Sequence, residues 1–293
     1  MTYDKSWGSK IFDSVNIILL SIIGLVTLIP FVYVFAGSFT TVAELAEKQF
    51  VIIPTQFTFE AYRYIFSTNT VSRAMGVSVG VTLAGTLFSL ILTILMAYGL
   101  SKRDLVGRRL IMFLVIFTML FNGGLIPSFI IVKELGLIDT YAALIIPSAL
   151  SAFNLIIMRN FFQNLPEGLE ESAKIDGAGS WNILLRIVIP LSMPVIATIS
   201  LFYAVGYWNT YFQAVMYIND VTKWPIQVIL RQIVILASAL TGDTSDFGGD
   251  YVAPPEQGIK MAVIVIATVP ILVVYPFLQK HFTKGAMLGS IKG

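Results

Sequence analysis

Tyr203, Tyr207, Trp208, Asn209, Tyr211, Phe212 and Gln213 crowd one short stretch of an otherwise aliphatic region. Amphipathic rings stack on the faces of sugars and amides bond their hydroxyls, so this stretch has the chemistry of a sugar-contacting wall. Polar groups inside a membrane tend to face the bundle interior or a cavity. The same residues also fit ordinary helix packing with an interfacial aromatic belt. The candidates for a substrate pathway are Tyr203, Trp208, Asn209 and Gln213, together with Asn122 and Asn154. For the two asparagines, interhelical hydrogen bonding is an equal alternative.

Catalytic chemistry is poorly supplied. The chain has no cysteine and a single histidine, His281. A Ser-His-Asp triad, a thiol nucleophile and a multi-histidine metal site are therefore not expected. No G-x-x-x-x-G-K-[ST] phosphate loop occurs. The acidic Asp243, Asp246 and Asp250 lack the alternating spacing of a calcium loop. We expect no enzyme, no metal site and no cofactor in this chain. A formal charge of +2 gives no reason to expect nucleic acid as a partner.

A second group of residues suits contact between proteins. Between Asn164 and Pro194 the sequence reads NLPEGLEESAKIDGAGSWNILLRIVIPLSMP. Asn164 and Glu167 have the spacing of a capping box, and Pro166 is tolerated in a first helical turn. Leu165, Leu169 and Ala173 recur at four-residue steps and give a narrow apolar face. Gly177 and Gly179 predict a break, after which Ser180 can cap a second short helix. Small residues at Ser172, Ala173, Gly177 and Ala178 let another backbone approach closely.

The elements that must position these groups are membrane helices. Of the 293 residues, 56 % are hydrophobic and 12 % charged, against roughly 25 % charged in a soluble domain. Apolar runs near the roughly 20 residues needed to cross a bilayer lie at 11–37, 74–100, 109–132, 140–162, 187–218 and 259–279. The first is longer than a signal-peptide core and reads as an uncleaved span. We expect an all-α membrane protein of about six spans. Lys and Arg concentrate at 5–10, 102–109, 159–186 and 280–292, which predicts a cytoplasmic location for those segments and for both termini. Residues 1–293 form one transmembrane domain on this reading. Residues 164–186 are its cytoplasmic connector and 280–293 its cytoplasmic tail. Residues 219–258 form an outer loop. Within that loop, Pro225 to Leu240 reads as a helix lying in the interface, because Gln227, Arg231 and Gln232 share one face.

The connector resembles the "EAA" coupling loop of bacterial ABC-type importer permeases. The matching residues are Glu171-Ser172-Ala173-Lys174-Ile175-Asp176-Gly177-Ala178, followed by Ile187-Val188-Ile189-Pro190. Ser172 and Ile189 depart from the family pattern by residues of similar size. The resemblance runs nearly end to end and is strongest to the carbohydrate-uptake branch. Gly123-Gly124-Leu125-Ile126-Pro127 and the run from Tyr251 to Gly258 look like a subgroup for complex oligosaccharides and polysaccharide fragments.

This resemblance implies a type I importer architecture in the bacterial cytoplasmic membrane. It implies a second permease subunit, two cytoplasmic ATPase subunits that bind ATP and Mg, and an external solute-binding protein. Glu170, Glu171, Ala173, Asp176, Gly177 and Ala178 would couple to the ATPase. The implied substrate is an oligosaccharide, with uronate oligomers such as alginate or pectin fragments and neutral glycans both open. A permease for another small solute is the alternative. An ion-coupled secondary transporter fits less well, because the span centres hold essentially no ionisable side chain and Lys133 and Glu134 lie near a span end.

Overall fold

A computed structural model describes residues 7–48, 50–240 and 256–289, without the side chains of 167, 236–240, 256 and 275–289. The described chain is helical, and its one β contact is an isolated bridge between Thr40 and Phe57. The described residues fall into two compact units, one of 7–68 and 232–268, the other of 69–231 and 269–289.

The first unit begins with α1 (Trp7–Gly37), whose apolar side chains are exposed along almost its whole length. That is the surface a lipid-facing span needs. Two short helices follow, α2 (Val42–Glu47) and α3 (Glu60–Ser67). Phe39 stacks on Phe57 and Tyr62, and the hydroxyls of Ser38 and Tyr62 share a 2.9 Å hydrogen bond. Glu44 is buried in this loop. Its carboxylate accepts the backbone N–H groups of Thr55 and Gln56 and pairs with Lys48 at 2.8 Å.

The second unit is organised around α4 (Asn69–Ser101). Its buried residues include Ser78, Val81, Gly85, Ser89, Thr93, Ala97 and Leu100, which follow the three-to-four-residue step of a single helical face. Small side chains on that face allow close helix approach in lipid, where dispersion and polar contacts replace the hydrophobic effect.

Beyond α4 come α5 (Arg108–Leu120), α6 (Leu125–Glu134), α7 (Ala142–Ile145) and α8 (Ala152–Gln163). Next are α9 (Glu167–Ile175) and α10 (Ser180–Ile183), which runs through a π turn into α11 (Ile189–Leu191). The chain continues as α12 (Met193–Trp208), α13 (Phe212–Tyr217), α14 (Ile226–Leu240) and α15 (Glu256–Gly289). Within this unit α4 packs chiefly against α12 and α8.

Three described helices are long and apolar enough to cross a membrane, and three bent pairs bring the number to six. The expected runs at 109–132, 140–162 and 187–218 are therefore not continuous helices. The first of these bends by 118° at the break between α5 and α6, the second by 53° and the third by 82°. Gly124 at φ 89°, Pro147 in a 3-10 turn, and Ser192 between Pro190 and Pro194 mark the three breaks. Proline removes an N–H and clashes with the preceding turn, and glycine takes a conformation closed to other residues.

The segment at 225–240 forms a helix, as expected. Ser78 Oγ accepts the N–H of Ile226 at 2.8 Å and so satisfies one orphan donor at its start. Arg231 and Gln232 are exposed, and the Arg231 guanidinium lies 5.1 Å from the Tyr211 ring centre.

Candidate functional site

The connector between α8 and α10 is built by hydrogen bonds that its sequence encodes locally. The N–H of Gly177 donates to the carbonyl of Lys174 at 3.0 Å, and that of Ala178 to the carbonyl of Ala173 at 2.9 Å. These are the paired bonds of a Schellman cap, which turns the chain sharply out of α9. Gly177 has φ +81°, the left-handed conformation such a cap requires. A Cβ built at Gly177 meets nothing within 4 Å. Glycine is thus demanded there by the backbone, while the space above it stays open to another molecule.

The expected coupling residues divide by exposure. Ala173 is buried in the core and Ala178 packs beside it. Glu170 is half-buried and ion-paired with Lys102, whose Nζ also lies 4.1 Å from the Tyr98 ring centre. Glu171 and Asp176 are exposed. Asp176 is the C-cap of α9, with its N–H bonded to the Ser172 carbonyl at 3.0 Å.

Large apolar side chains stand exposed on either side of the turn. Ile175 is 85 % exposed and Trp181 65 %. Neither residue was singled out by sequence reasoning. The signal available was Ile175 as a lone aliphatic residue amid the polar run Lys174-Asp176. Lys102 was also missed, and no local pattern links it to Glu170.

Two expectations about caps need correction. Asn164 does not open α9. It closes α8, where its Nδ2 donates to the Asn160 carbonyl at 2.9 Å and its helical backbone excludes N-cap geometry. Pro166 occupies the N-cap position of α9, with no side-chain hydrogen bond. Likewise Gly179, not Ser180, precedes α10. Leu169, expected on the apolar face with Leu165 and Ala173, remains 40 % exposed.

The pathway candidates are not held in one place. Asn154, Tyr203 and Gln213 line a common cavity of about 440 Å³ with Ser151 and Thr210. Ser151 N-caps α8 by accepting the Asn154 N–H, and donates its own N–H to the Tyr203 hydroxyl at 3.1 Å. That hydroxyl also bonds Thr93 on α4 at 2.7 Å. Tyr207 bonds Ser89 at 2.7 Å and the Ile145 carbonyl at 3.2 Å, so it too is a packing link.

Trp208 lies elsewhere. It lines an apolar cleft of about 200 Å³ with Val79, Leu83, Ile271 and Val274. Asn209 donates to the Val205 carbonyl of its own helix at 2.9 Å. Asn122 sits in the α5–α6 break, where its Oδ1 accepts the Gly124 N–H at 2.9 Å.

The loop before α7 is tied to the loop after α13 by a charge network. Asp139, at φ 62°, accepts the N–H groups of Asn219 and Asp220 and bonds Lys223 through its carbonyl and carboxylate. The Asp220 N–H, followed by Lys223, pulls the Asp139 carboxyl below its ordinary value. Thr222 does the same for Asp220, and the bond to Asp139 raises Lys223. The stretches at 241–255 and 290–293 lie outside the described residues, and with them Asp243, Asp246, Asp250 and the end of the tail.

The sequence matches the family described as "Binding-protein-dependent transport system inner membrane component" over residues 89–287. It is 59 % identical to the polygalacturonan/rhamnogalacturonan transport system permease protein YtcP of Bacillus subtilis, covering 97 % of this chain and 99 % of that protein. Protein LplC of the same organism is 56 % identical over 100 % of this chain and 98 % of its own length. The fold is similar to a chain in the crystal structure of a bacterial ABC transporter that imports the acidic polysaccharide alginate. The TM-score is 0.85 at 34 % identity, covering 96 % of this chain and all of that one.

Proposed function

Because the chain belongs to the family of binding-protein-dependent transport system inner membrane components, we propose that it is one half of the translocation pathway of an ATP-driven importer of acidic oligosaccharides. A second permease chain completes the pathway. Two ATPase subunits dock on the cytoplasmic side, and a solute-binding protein delivers substrate outside. Both termini of this chain are cytoplasmic.

The observation that carries this reading is the turn at Gly177. A rigid, capped bend presents Glu171, Ile175 and Trp181 to solvent beside open space. Exposed aromatic and aliphatic anchors beside a charge have the composition of a docking spot. Closure of the ATPases would move this element and with it α9 and α10. The bundle would then shift between inward- and outward-facing populations, provided that ATP binds one of them better.

For the substrate, support comes from the relatives named for polygalacturonan and alginate. In this chain Asn154 and Gln213 supply amides and Tyr203 a ring to the shared cavity. We place them in the pathway. Trp208 and Asn209 act on other faces, the first in packing against α15.

The test is uptake by liposomes holding both permeases and the ATPases, with binding protein and ATP inside or outside as required. Oligogalacturonates should accumulate and neutral maltooligosaccharides should not. Equal uptake of both would remove the acidic-substrate reading. ATP-independent uptake would remove the importer reading itself.

A further inference from the structure

A separate cleft of about 850 Å³ lies where α4 ends, α5 begins and α8 passes. Arg103, Arg108, Arg109 and Arg159 line it. No carboxylate, amide or hydroxyl side chain is among the described residues lining it. Arg159 is held in place by two hydrogen bonds, from Nε to the Leu100 carbonyl at 3.2 Å and from Nη1 to Asn160 Oδ1 at 3.0 Å. Both acceptors are neutral, so neither cancels its charge. The remaining wall is apolar, formed by Met112, Phe113 and Ile116, and the last two are exposed.

We infer that this cleft binds the phosphate of an anionic phospholipid headgroup in the cytoplasmic leaflet, with an acyl chain lying along Phe113 and Ile116. The inference rests on the cytoplasmic placement of the α4–α5 turn proposed above.

Three features favour a lipid. A phosphodiester only accepts hydrogen bonds, and guanidinium groups only donate them. A neutral sugar carries no anionic group to meet the guanidiniums, and its hydroxyl donors would find no side-chain acceptor among the described lining residues, whereas the hydroxyls of a lipid headgroup can turn to water. The arginines stand at the ends of membrane helices, which is headgroup depth, and basic pockets between spans on the cytoplasmic side are known to take anionic headgroups. The exposed aromatic and aliphatic wall runs on from the charges along α5, as a tethered acyl chain requires and a free anion does not.

The assembled transporter can be tested in nanodiscs of equal parts phosphatidylglycerol and phosphatidylcholine, with retained lipid read by native mass spectrometry. Wild type should keep phosphatidylglycerol over phosphatidylcholine by about tenfold, on the scale of one to two arginine–headgroup contacts. The variant Arg108→Gln/Arg109→Gln should lose this preference, since both residues stand at the start of α5 rather than in the core. Lys174→Gln/Arg186→Gln removes the same charge from exposed positions outside the cleft and should keep the preference.

Equal retention of the two lipids by wild type, or full preference in the Arg108→Gln/Arg109→Gln variant, would overturn the inference. Displacement by millimolar inorganic phosphate would assign the cleft to a soluble anion. Displacement by digalacturonate alone would assign it to the pathway. Either outcome also overturns the lipid. Oligosaccharide uptake by the same preparation separates failure of this inference from failure of the importer reading.

Discussion

The ring of Tyr207 lies across Gly85, so closely that a Cβ at Gly85 would stand 2.8 Å from it. The ring cannot retreat cheaply, because its hydroxyl is fixed by Ser89 and the Ile145 carbonyl. Gly85→Ala should therefore destabilise the α4–α12 contact by about 1–3 kcal/mol, the usual cost of overpacking. Thermal unfolding of the purified protein in detergent checks this. Tyr207→Leu in the same background should recover much of the loss, by relieving the clash at the expense of two hydrogen bonds.

Lys102 and Glu170 tie the end of α4 to the connector. As a partly exposed pair it contributes on the order of 1 kcal/mol or less to stability, so its main effect should be on coupling. Lys102→Glu should lower substrate-stimulated ATP hydrolysis more than it lowers the melting temperature. The exchange Lys102→Glu/Glu170→Lys should restore part of the activity. A double variant no better than the worse single one would show that the pair is incidental.

Acid should loosen the loop around Glu44. Its bond to Lys48, and then those from Thr55 and Gln56, lower its pKa from 4.5 to about 2. A folded-state pKa below the unfolded one means that the unfolded chain binds the extra proton first as pH falls. The stabilising contribution is then complete above pH 4.5 and is lost as the pH drops towards about 2. Wild type should lose its stability advantage over Glu44→Gln across that window, measured as the difference between their melting temperatures. An advantage unchanged down to pH 2 would contradict the assignment.

In the Asp139–Asp220–Lys223 network the signs run both ways. The two depressed carboxylates contribute above the unfolded value of 3.8, and the raised lysine contributes below 10.5. The network should accordingly be insensitive to pH between those values. Asp139→Asn should increase hydrogen exchange in the loop after α13 equally at pH 6 and pH 9, values chosen at roughly the middle of that window.

The legible parts of this molecule were those set by run length and by local turn chemistry. The apolar run at 74–100 is read from its length and is the long helix α4, and the Gly177 turn follows from a glycine after a short helix. Hydropathy could not see the 118° break after α5, because Phe121-Asn122-Gly123-Gly124 interrupts the backbone without interrupting the apolar run. Asn164 was misread because asparagine serves either end of a helix, and the choice depended on Pro166. Tyr203 and Trp208 separated because, five residues apart on α12, they stand roughly 140° apart around the helix. α12 ends at Trp208, and beyond that point the helical period no longer says which way Gln213 points. Contacts such as Lys102 with Glu170 join distant segments and leave no local trace.

Asn154 and Gln213 meet across one cavity although distant in sequence. Replacing both with leucine should reduce oligosaccharide uptake by about tenfold, the scale of losing one or two hydrogen bonds to substrate. Assembly and basal ATP hydrolysis should be kept. Trp208→Ala should instead lower thermal stability with little change in substrate affinity, because its cleft is apolar and lined in part by α15 residues. Unchanged uptake in the leucine variant would remove these side chains from the pathway.

The central claim is that energy enters through the Gly177 turn, and Gly177→Leu in the assembled transporter measures it most directly. The left-handed backbone there costs a side chain about 1–2 kcal/mol, too little to unfold the bundle. The added side chain would point into open space, where the proposed ATPase contact lies. Gly179→Ala is the companion control, since Gly179 has φ −72° and also meets nothing within 4 Å. With a tagged ATPase subunit as bait, Gly177→Leu should lose co-purification and substrate-stimulated hydrolysis while inserting and folding normally, and Gly179→Ala should keep both. Full co-purification of Gly177→Leu with wild-type stimulated hydrolysis would contradict the account.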